Sequence, residues 1–249
     1  MKNSVKFLFS GDSALVIEFG NEISVDINKK IRKMMDNIKK ENINGIIELV
    51  PTYCSLLVNY DVLKIDYKSL VEKLKTLLND DNETVEDEEV TLIEIPTLYN
   101  DECGPDLAYV AEYNKLSKEE VIKIHTGTDY LVYMLGFMPG FTYLGGMSEK
   151  IATPRLESPR LQIYPGSVGI AGKQTGMYPS MSPGGWRIIG RTPLKLYNPD
   201  SETPVYISSG DYIRYVSISE EEYNNILKKV EKNEYKLNIH KVKRGELNA

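Results

Sequence analysis

The sequence predicts an α+β N-terminal domain followed by a mainly β C-terminal domain. Three observations carry that expectation. Over the first eighty residues, short alternating apolar runs take turns with apolar stripes at helical spacing. A densely acidic segment, Asn79 to Glu89, then breaks the pattern. Beyond it, the 58 residues from Gly136 to Pro193 hold 11 of the 18 glycines and 7 of the 12 prolines, the texture of short strands joined by tight turns in an antiparallel barrel or sandwich. At 249 residues the chain exceeds the usual single-domain size of about 100–150 residues, so two domains are expected, residues 1–85 and 86–249.

Each element has its own signal. Met1 to Ser10 carries a short apolar stretch with no small-residue cleavage site and reads as a first strand rather than a signal peptide. Ser13 to Phe19 is a strand after the turn Gly11-Asp12. Ile27, Ile31, Met34, Met35 and Ile38 fall on one helical face, with Ser24 placed to cap it. Asn44-Gly45 interrupts the chain before Ile46 to Val50, and Pro51-Thr52 turns it into Cys54 to Tyr60. Tyr67, Leu70, Val71, Leu74, Leu77 and Leu78 form a second helical face, capped by Asp66. A strand at Val90 to Ile95 would complete a ferredoxin-like βαββαβ unit. The acidic segment before it, with Asp80, Asp81, Glu83, Glu86, Asp87, Glu88 and Glu89, resists compaction and reads as a solvated linker, or else as an acidic docking segment.

The second part opens with a short helix from Asp106 to Tyr113 and a capping box, Ser117 to Glu120, that starts another helix running to His125. Short β-prone runs follow at Leu161 to Tyr164, Val168 to Ala171, Leu194 to Tyr197, Val205 to Ile207 and Tyr212 to Ile218. Ser219 to Glu222 is a second capping box, with Tyr223, Ile226, Leu227 and Val230 behind it. The polar tail after Glu231 is expected to fray.

Composition removes whole classes of function. Apolar residues make up 41% and charged residues 27%, so the chain can bury a core and is not globally disordered. Thirty basic against thirty-six acidic residues argue against a general nucleic-acid or anionic-membrane binder. Two cysteines and two histidines exclude a disulfide framework, a four-cysteine zinc site and a His-rich metal site, so no metal ligands are assigned. With no apolar run near the roughly 20 residues of a membrane span, a soluble cytoplasmic protein is expected.

Against the acidic background, the Gly/Pro-rich window holds Lys150, Arg155, Arg160, Lys173, Arg187 and Arg191 but only Glu149 and Glu157. Arginine presents a planar fork to a carboxylate or phosphate, and glycine lets backbone N–H groups approach an anion. The alternative is that turns need glycine and surface arginines are common. On the anion-pocket reading, the candidate catalytic residues are His125, Lys173 and Arg187, and the candidate substrate-binding residues are Arg160, Gln174, Tyr178, Gly184, Gly185 and Arg191. Gly172-Lys173 is not a Walker A motif, because Ser167 stands where the first glycine belongs and Gln174 follows the lysine. His125 is either a helix-end residue or a proton donor at the pocket rim. One of Gly184 and Gly185 is expected to hold a positive φ or to let the backbone face substrate, with Trp186 as lid or wall. Cys54 reads as core, and Cys103 lacks an evident base.

The segments 136–144 (GFMPGFTYL), 154–160 (PRLESPR), 166–179 (GSVGIAGKQTGMYP) and 182–193 (SPGGWRIIGRTP) together resemble the signatures of one family. Segments 11–15 (GDSAL), 51–58 (PTYCSLLV) and 104–107 (GPDL) fit the same pattern. The family comprises the B subunit of 5-oxoprolinase, the sporulation kinase inhibitor KipI and allophanate hydrolase subunit 1. The resemblance implies a cyclophilin-like barrel in the C-terminal domain. It also implies the A and C subunits of 5-oxoprolinase as partners, with which ATP, accompanied by magnesium, drives hydrolysis of 5-oxoproline to glutamate. The family leaves two other roles open, inhibition of a sensor histidine kinase and a place in a urea- or allophanate-metabolising enzyme; a homodimer is left open as well.

Overall fold

The computed structural model describes residues 5–78 and 89–249. The chain forms two compact units, one within residues 1–84 and one within 85–249. The acidic segment expected to be a linker lies outside the described residues, apart from Glu89.

The N-terminal unit contains β1 (Lys6–Phe9), β2 (Ala14–Glu18), α1 (Val25–Glu41), β3 (Ile46–Pro51), β4 (Ser55–Tyr60) and α2 (Tyr67–Thr76). Its sheet runs β1-β2-β4-β3, and every neighbouring pair is antiparallel. Alternation decides which face is covered: Leu15, Ile17, Leu56 and Val58 point into a core closed by Ile31, Met34, Leu70 and Leu74 from the helices. The α1 stripe is buried at Ile27, Ile31, Met34 and Ile38. Asp66 caps α2 by accepting the Ser69 N–H at 3.0 Å. Ser24 occupies the N-cap position of α1 but makes no side-chain cap bond.

The expected βαββαβ order is corrected. The segment predicted as its last strand does form β5 (Glu89–Thr97), but β5 belongs to the other unit. The fourth position of the N-terminal sheet is taken by β1, which a tight turn at Gly11-Asp12 delivers to β2. A local hairpin closes a shorter loop than a return across the chain, and so costs less entropy.

In the C-terminal unit, α3 (Leu107–Tyr113) and α4 (Lys118–Thr126) follow β5. Then come β6 (Asp129–Leu135), β7 (Thr142–Gly145), β8 (Arg160–Ile163), β9 (Ser167–Ala171), β10 (Gln174–Met177), β11 (Ser182–Gly184), β12 (Arg187–Arg191), β13 (Tyr212–Ser217), α5 (Glu220–Glu231) and β14 (Ile239–Lys243). A five-stranded sheet runs β14-β5-β13-β6-β7, with β5 and β13 parallel. A three-stranded sheet, β10-β9-β12, and a two-stranded ribbon, β11-β8, complete the unit. The shared core includes Ile93, Ile95, Val110, Val121, Val132, Ile170, Ile189 and Ile213.

Both capping boxes form, at Ser117 with Glu120 and at Ser219 with Glu222. Three expectations fail. The described strands make separate sheets rather than one closed barrel, because Gly/Pro turns and bulges interrupt the pairing. The runs Leu194 to Tyr197 and Val205 to Ile207 stay irregular, although Leu194, Leu196 and Ile207 are buried; their alternation reflects burial, not a ladder. The tail does not fray after Glu231. It forms β14, antiparallel to β5, and Asn248 donates its backbone N–H to Asp129 Oδ2 at 2.9 Å. Asp129 is itself buried and held by a bidentate Arg214, at 2.6 and 2.7 Å.

Candidate functional site

The site is built where the head of α3 meets β12 and β8. Asp106, 6% exposed, accepts two hydrogen bonds from Arg160: Nη1 to Oδ2 at 2.8 Å and Nη2 to Oδ1 at 2.9 Å. Oδ2 also accepts the Ile188 N–H at 2.7 Å. Arg187 stands beside the same carboxylate, with Nη1 3.9 Å from Oδ1. The Arg187 guanidinium lies 3.7 Å from the centre of the Tyr109 ring, and its Nε donates to the Pro154 carbonyl at 3.3 Å. Arg155 approaches the Trp186 ring at 5.9 Å. Two arginines thus gather around one buried carboxylate, which leaves a surplus of positive charge in an acidic chain. Planar donors held this way suit a carboxylate or phosphate.

The glycine pair borders this cluster. Gly184 is the register partner of Arg160. Neither Gly184 nor Gly185 holds a positive φ, so the conformational explanation for the pair is corrected. Close packing takes its place: a methyl on Gly184 would stand 2.5 Å from the Tyr178 hydroxyl and 2.7 Å from Ile163 Cδ1. At Gly185 a methyl would make ordinary van der Waals contact, 3.7 Å from the Leu156 carbonyl oxygen and from Pro159 Cγ, so that position tolerates a small side chain. Tyr178 and Trp186 are buried beside Phe141, whose ring meets each edge to face at 5.5 Å. Trp186 is therefore a wall and not a lid. Burial pushes the Tyr178 phenol up to about 12, so it stays protonated as a donor at neutral pH.

Other candidates lie elsewhere. Gly172 and Lys173 form the two-residue tip of the β9–β10 hairpin, and the exposed Lys173 ammonium pairs with Glu149. Gln174 begins β10 opposite Ala171. Arg191 sits at the far end of β12 from Arg187, opposite Ser167 and 5.1 Å from the Tyr164 ring centre. The structure therefore brings Arg160, Tyr178, Gly184, Gly185 and Arg187 together and leaves Lys173, Gln174 and Arg191 at its margins. Cys103 is buried, and burial raises its thiol pKa.

His125 is fully buried in the core. Its Nε2 lies 2.8 Å from Thr175 Oγ1, and its Nδ1 lies 2.8 Å from the Tyr99 hydroxyl. The Thr175 hydroxyl already donates to the Gly169 carbonyl at 3.1 Å. The network therefore places the proton on Nε2 and lets Nδ1 accept from Tyr99. Burial lowers the imidazole pKa to about 3. The unfolded chain takes up this proton near pH 6.5, whereas the native protein does not until about pH 3. The group's contribution to stability is thus complete above pH 6.5 and is lost as pH falls toward 3. A His125→Gln variant is expected to lose about 2 kcal/mol less than the parent between about pH 6.5 and 4.5. Urea unfolding at several pH values checks this; parallel pH curves for the two proteins would refute it.

Asp106, which the arginine pair surrounds, is the member of this cluster that pattern reading passed over. The sequence marks it only as the start of the short helix expected from Asp106 to Tyr113 and as part of the segment 104–107. Among the described residues, no group of three or more His, Cys, Asp or Glu could hold a metal ion. Lys173 lies on a hairpin rather than at a helix start, so Gly172-Lys173 does not form a P-loop. No helix among the described residues is long and apolar enough to cross a membrane.

Fold and site together define an α/β two-unit protein with an arginine cluster organised by a buried aspartate. Residues 5–207 match the family of the carboxyltransferase domain, subdomain C and D, and the chain belongs to that family. It is 46% identical over 224 residues to the B subunit of 5-oxoprolinase from Bacillus subtilis, covering 86% of this chain and 93% of the relative. A conserved uncharacterized protein of Pyrococcus horikoshii of known structure is 50% identical, with a TM-score of 0.52 over 88% of this chain and all of the other. The urea carboxylase of Kluyveromyces lactis, at 19% identity, shares the fold, with a TM-score of 0.78 over 96% of this chain and 24% of its own.

Proposed function

We propose that this chain is the B subunit of an ATP-dependent 5-oxoprolinase, acting in the cytoplasm with partners of the A and C types. The observation that carries the site assignment is the pair Arg160 and Arg187 around Asp106, a built anion-receiving cluster in an acidic chain. The 46% identity to a B-type 5-oxoprolinase protein supports the choice of reaction.

On this reading, Arg160 and Arg187 receive the carboxylate of 5-oxoproline beside the Gly184-Gly185 pair. Fixed guanidinium donors stabilise developing negative charge without reorganising. ATP and any magnesium are assigned to the partner proteins. The C-terminal unit is read as an opened relative of a cyclophilin-like barrel, with domains 1–85 and 86–249. A partner would cover the ribbon of β8 and β11 and its flanks, where Leu161 in β8 is 89% exposed and Tyr164 and Met181, just beyond the two strands, are more than half exposed.

Purifying the chain alone and with both partners tests the proposal. The expected result is co-elution and ATP-dependent glutamate release only when all three are present. Separate elution without glutamate release, together with suppression of a cognate histidine kinase's autophosphorylation, would overturn it.

A further inference from the structure

We propose that Asp106 is the positioning residue of the anion site: it fixes the two guanidinium groups in the orientation that receives substrate and sets their surplus charge. The inference rests on the anion-binding reading of Arg160 and Arg187.

Asp106 occupies the N-cap of α3, where an aspartate ordinarily turns back to accept an N–H of the first helical turn. Here the carboxylate makes no cap bond. It faces away from its own helix, toward β8 and β12. Both oxygens are taken by Arg160, and Oδ2 additionally accepts the Ile188 N–H. That amide immediately follows Arg187, so one buried carboxylate fixes the start of β12 and the guanidinium fork on β8 together. Arg187 is locked from its other sides by Tyr109 and the Pro154 carbonyl. A single negative charge between two positive ones neutralises half of the pair and leaves the remainder for an incoming anion. Arg160, about one-third exposed, keeps an outward side that the bidentate contact does not occupy.

Asp106→Asn in the assembled complex with both partners tests the idea. The amide nitrogen cannot accept from Arg160, so the fork is released while side-chain size is kept. The expected result is a rise of at least about 10-fold in KM for 5-oxoproline, with kcat changed less than about 3-fold and KM for ATP unchanged. Asp106→Glu, which retains the charge but displaces it by one methylene, should recover only part of the loss. In parallel, stabilisation of the isolated full-length chain by 5-oxoproline and by inorganic phosphate is measured by thermal shift. The parent should be stabilised, and Asp106→Asn less so. Should Asp106→Asn not fold, the pair Asp106→Asn with Arg160→Met removes the uncompensated charge, and it should fold yet bind neither probe. A parent complex that releases no glutamate while its chain still binds the anions counts against the oxoprolinase reading alone. A variant with unchanged KM and unchanged anion stabilisation overturns the role of Asp106.

Discussion

Replacing Gly104 with alanine is expected to destabilise the C-terminal unit by about 3 kcal/mol or more, an effect of the largest class for a single methyl group. The cause is steric rather than conformational, since Gly104 does not hold a positive φ. A Cβ there would sit 2.1 Å from the Ile189 carbonyl oxygen and 2.4 Å from its carbon. Both are backbone atoms of β12 and have no rotamer to escape into. The clash would open the bond from the Asp106 N–H to the Ile188 carbonyl, 2.9 Å long, and with it the seat of Asp106. For a unit of this size the melting temperature should fall by roughly 6–12 °C. A scan showing a fall below about 2 °C would mean that β12 and the α3 start are not held as close as described.

Arg187→Ala should reduce kcat/KM for 5-oxoproline about 10- to 100-fold in the assembled complex, the size of one lost charge-assisted contact. Folding should survive, because the stack on Tyr109 is worth roughly 0.5–2 kcal/mol and Asp106 keeps Arg160. Arg187→Lys should restore only part of the activity: it returns the charge but not the planar stack. Lys173→Ala is the comparison, since its ammonium is exposed and paired with Glu149. Exposed pairs contribute about 0.2–1 kcal/mol, so a change of less than about 3-fold is expected. Full activity in Arg187→Ala would remove the arginine pair from substrate binding.

What the sequence made legible was local. The capping boxes at Ser117 and Ser219 and the α1 stripe are each written within a few residues, and each forms. The Gly/Pro-rich window and its basic side chains pointed to the region where Arg160, Gly184, Gly185 and Arg187 meet. What stayed hidden depends on distant pairing. Val90 to Ile95 has a strand pattern, but nothing in that pattern says whether it joins the first sheet or the second. Asp106 finds Arg160 54 residues away and the Ile188 amide 82 residues away, so the sequence marked it only as the start of a short helix. His125 read as a helix-end or a rim residue, and its place in the core stayed hidden, because the partners that enclose it, Tyr99 and Thr175, lie on separate strands or loops.

The position of β5 has a consequence in time. On the growing chain it is made long before either strand that will flank it: β13 lies more than a hundred residues downstream, and the β14 contact of Lys241 with Thr91 spans 150 residues. Until they arrive, an aliphatic segment with both ladders open waits in a half-made protein, the kind of exposure that invites pairing with other nascent chains. Directly ahead of it run Glu86, Asp87 and Glu88, and Glu89 is its first residue. Charges at the flank of an unavoidable hydrophobic strand discourage such encounters by mutual repulsion. The sequence places such charges immediately before a strand that must wait for distant neighbours.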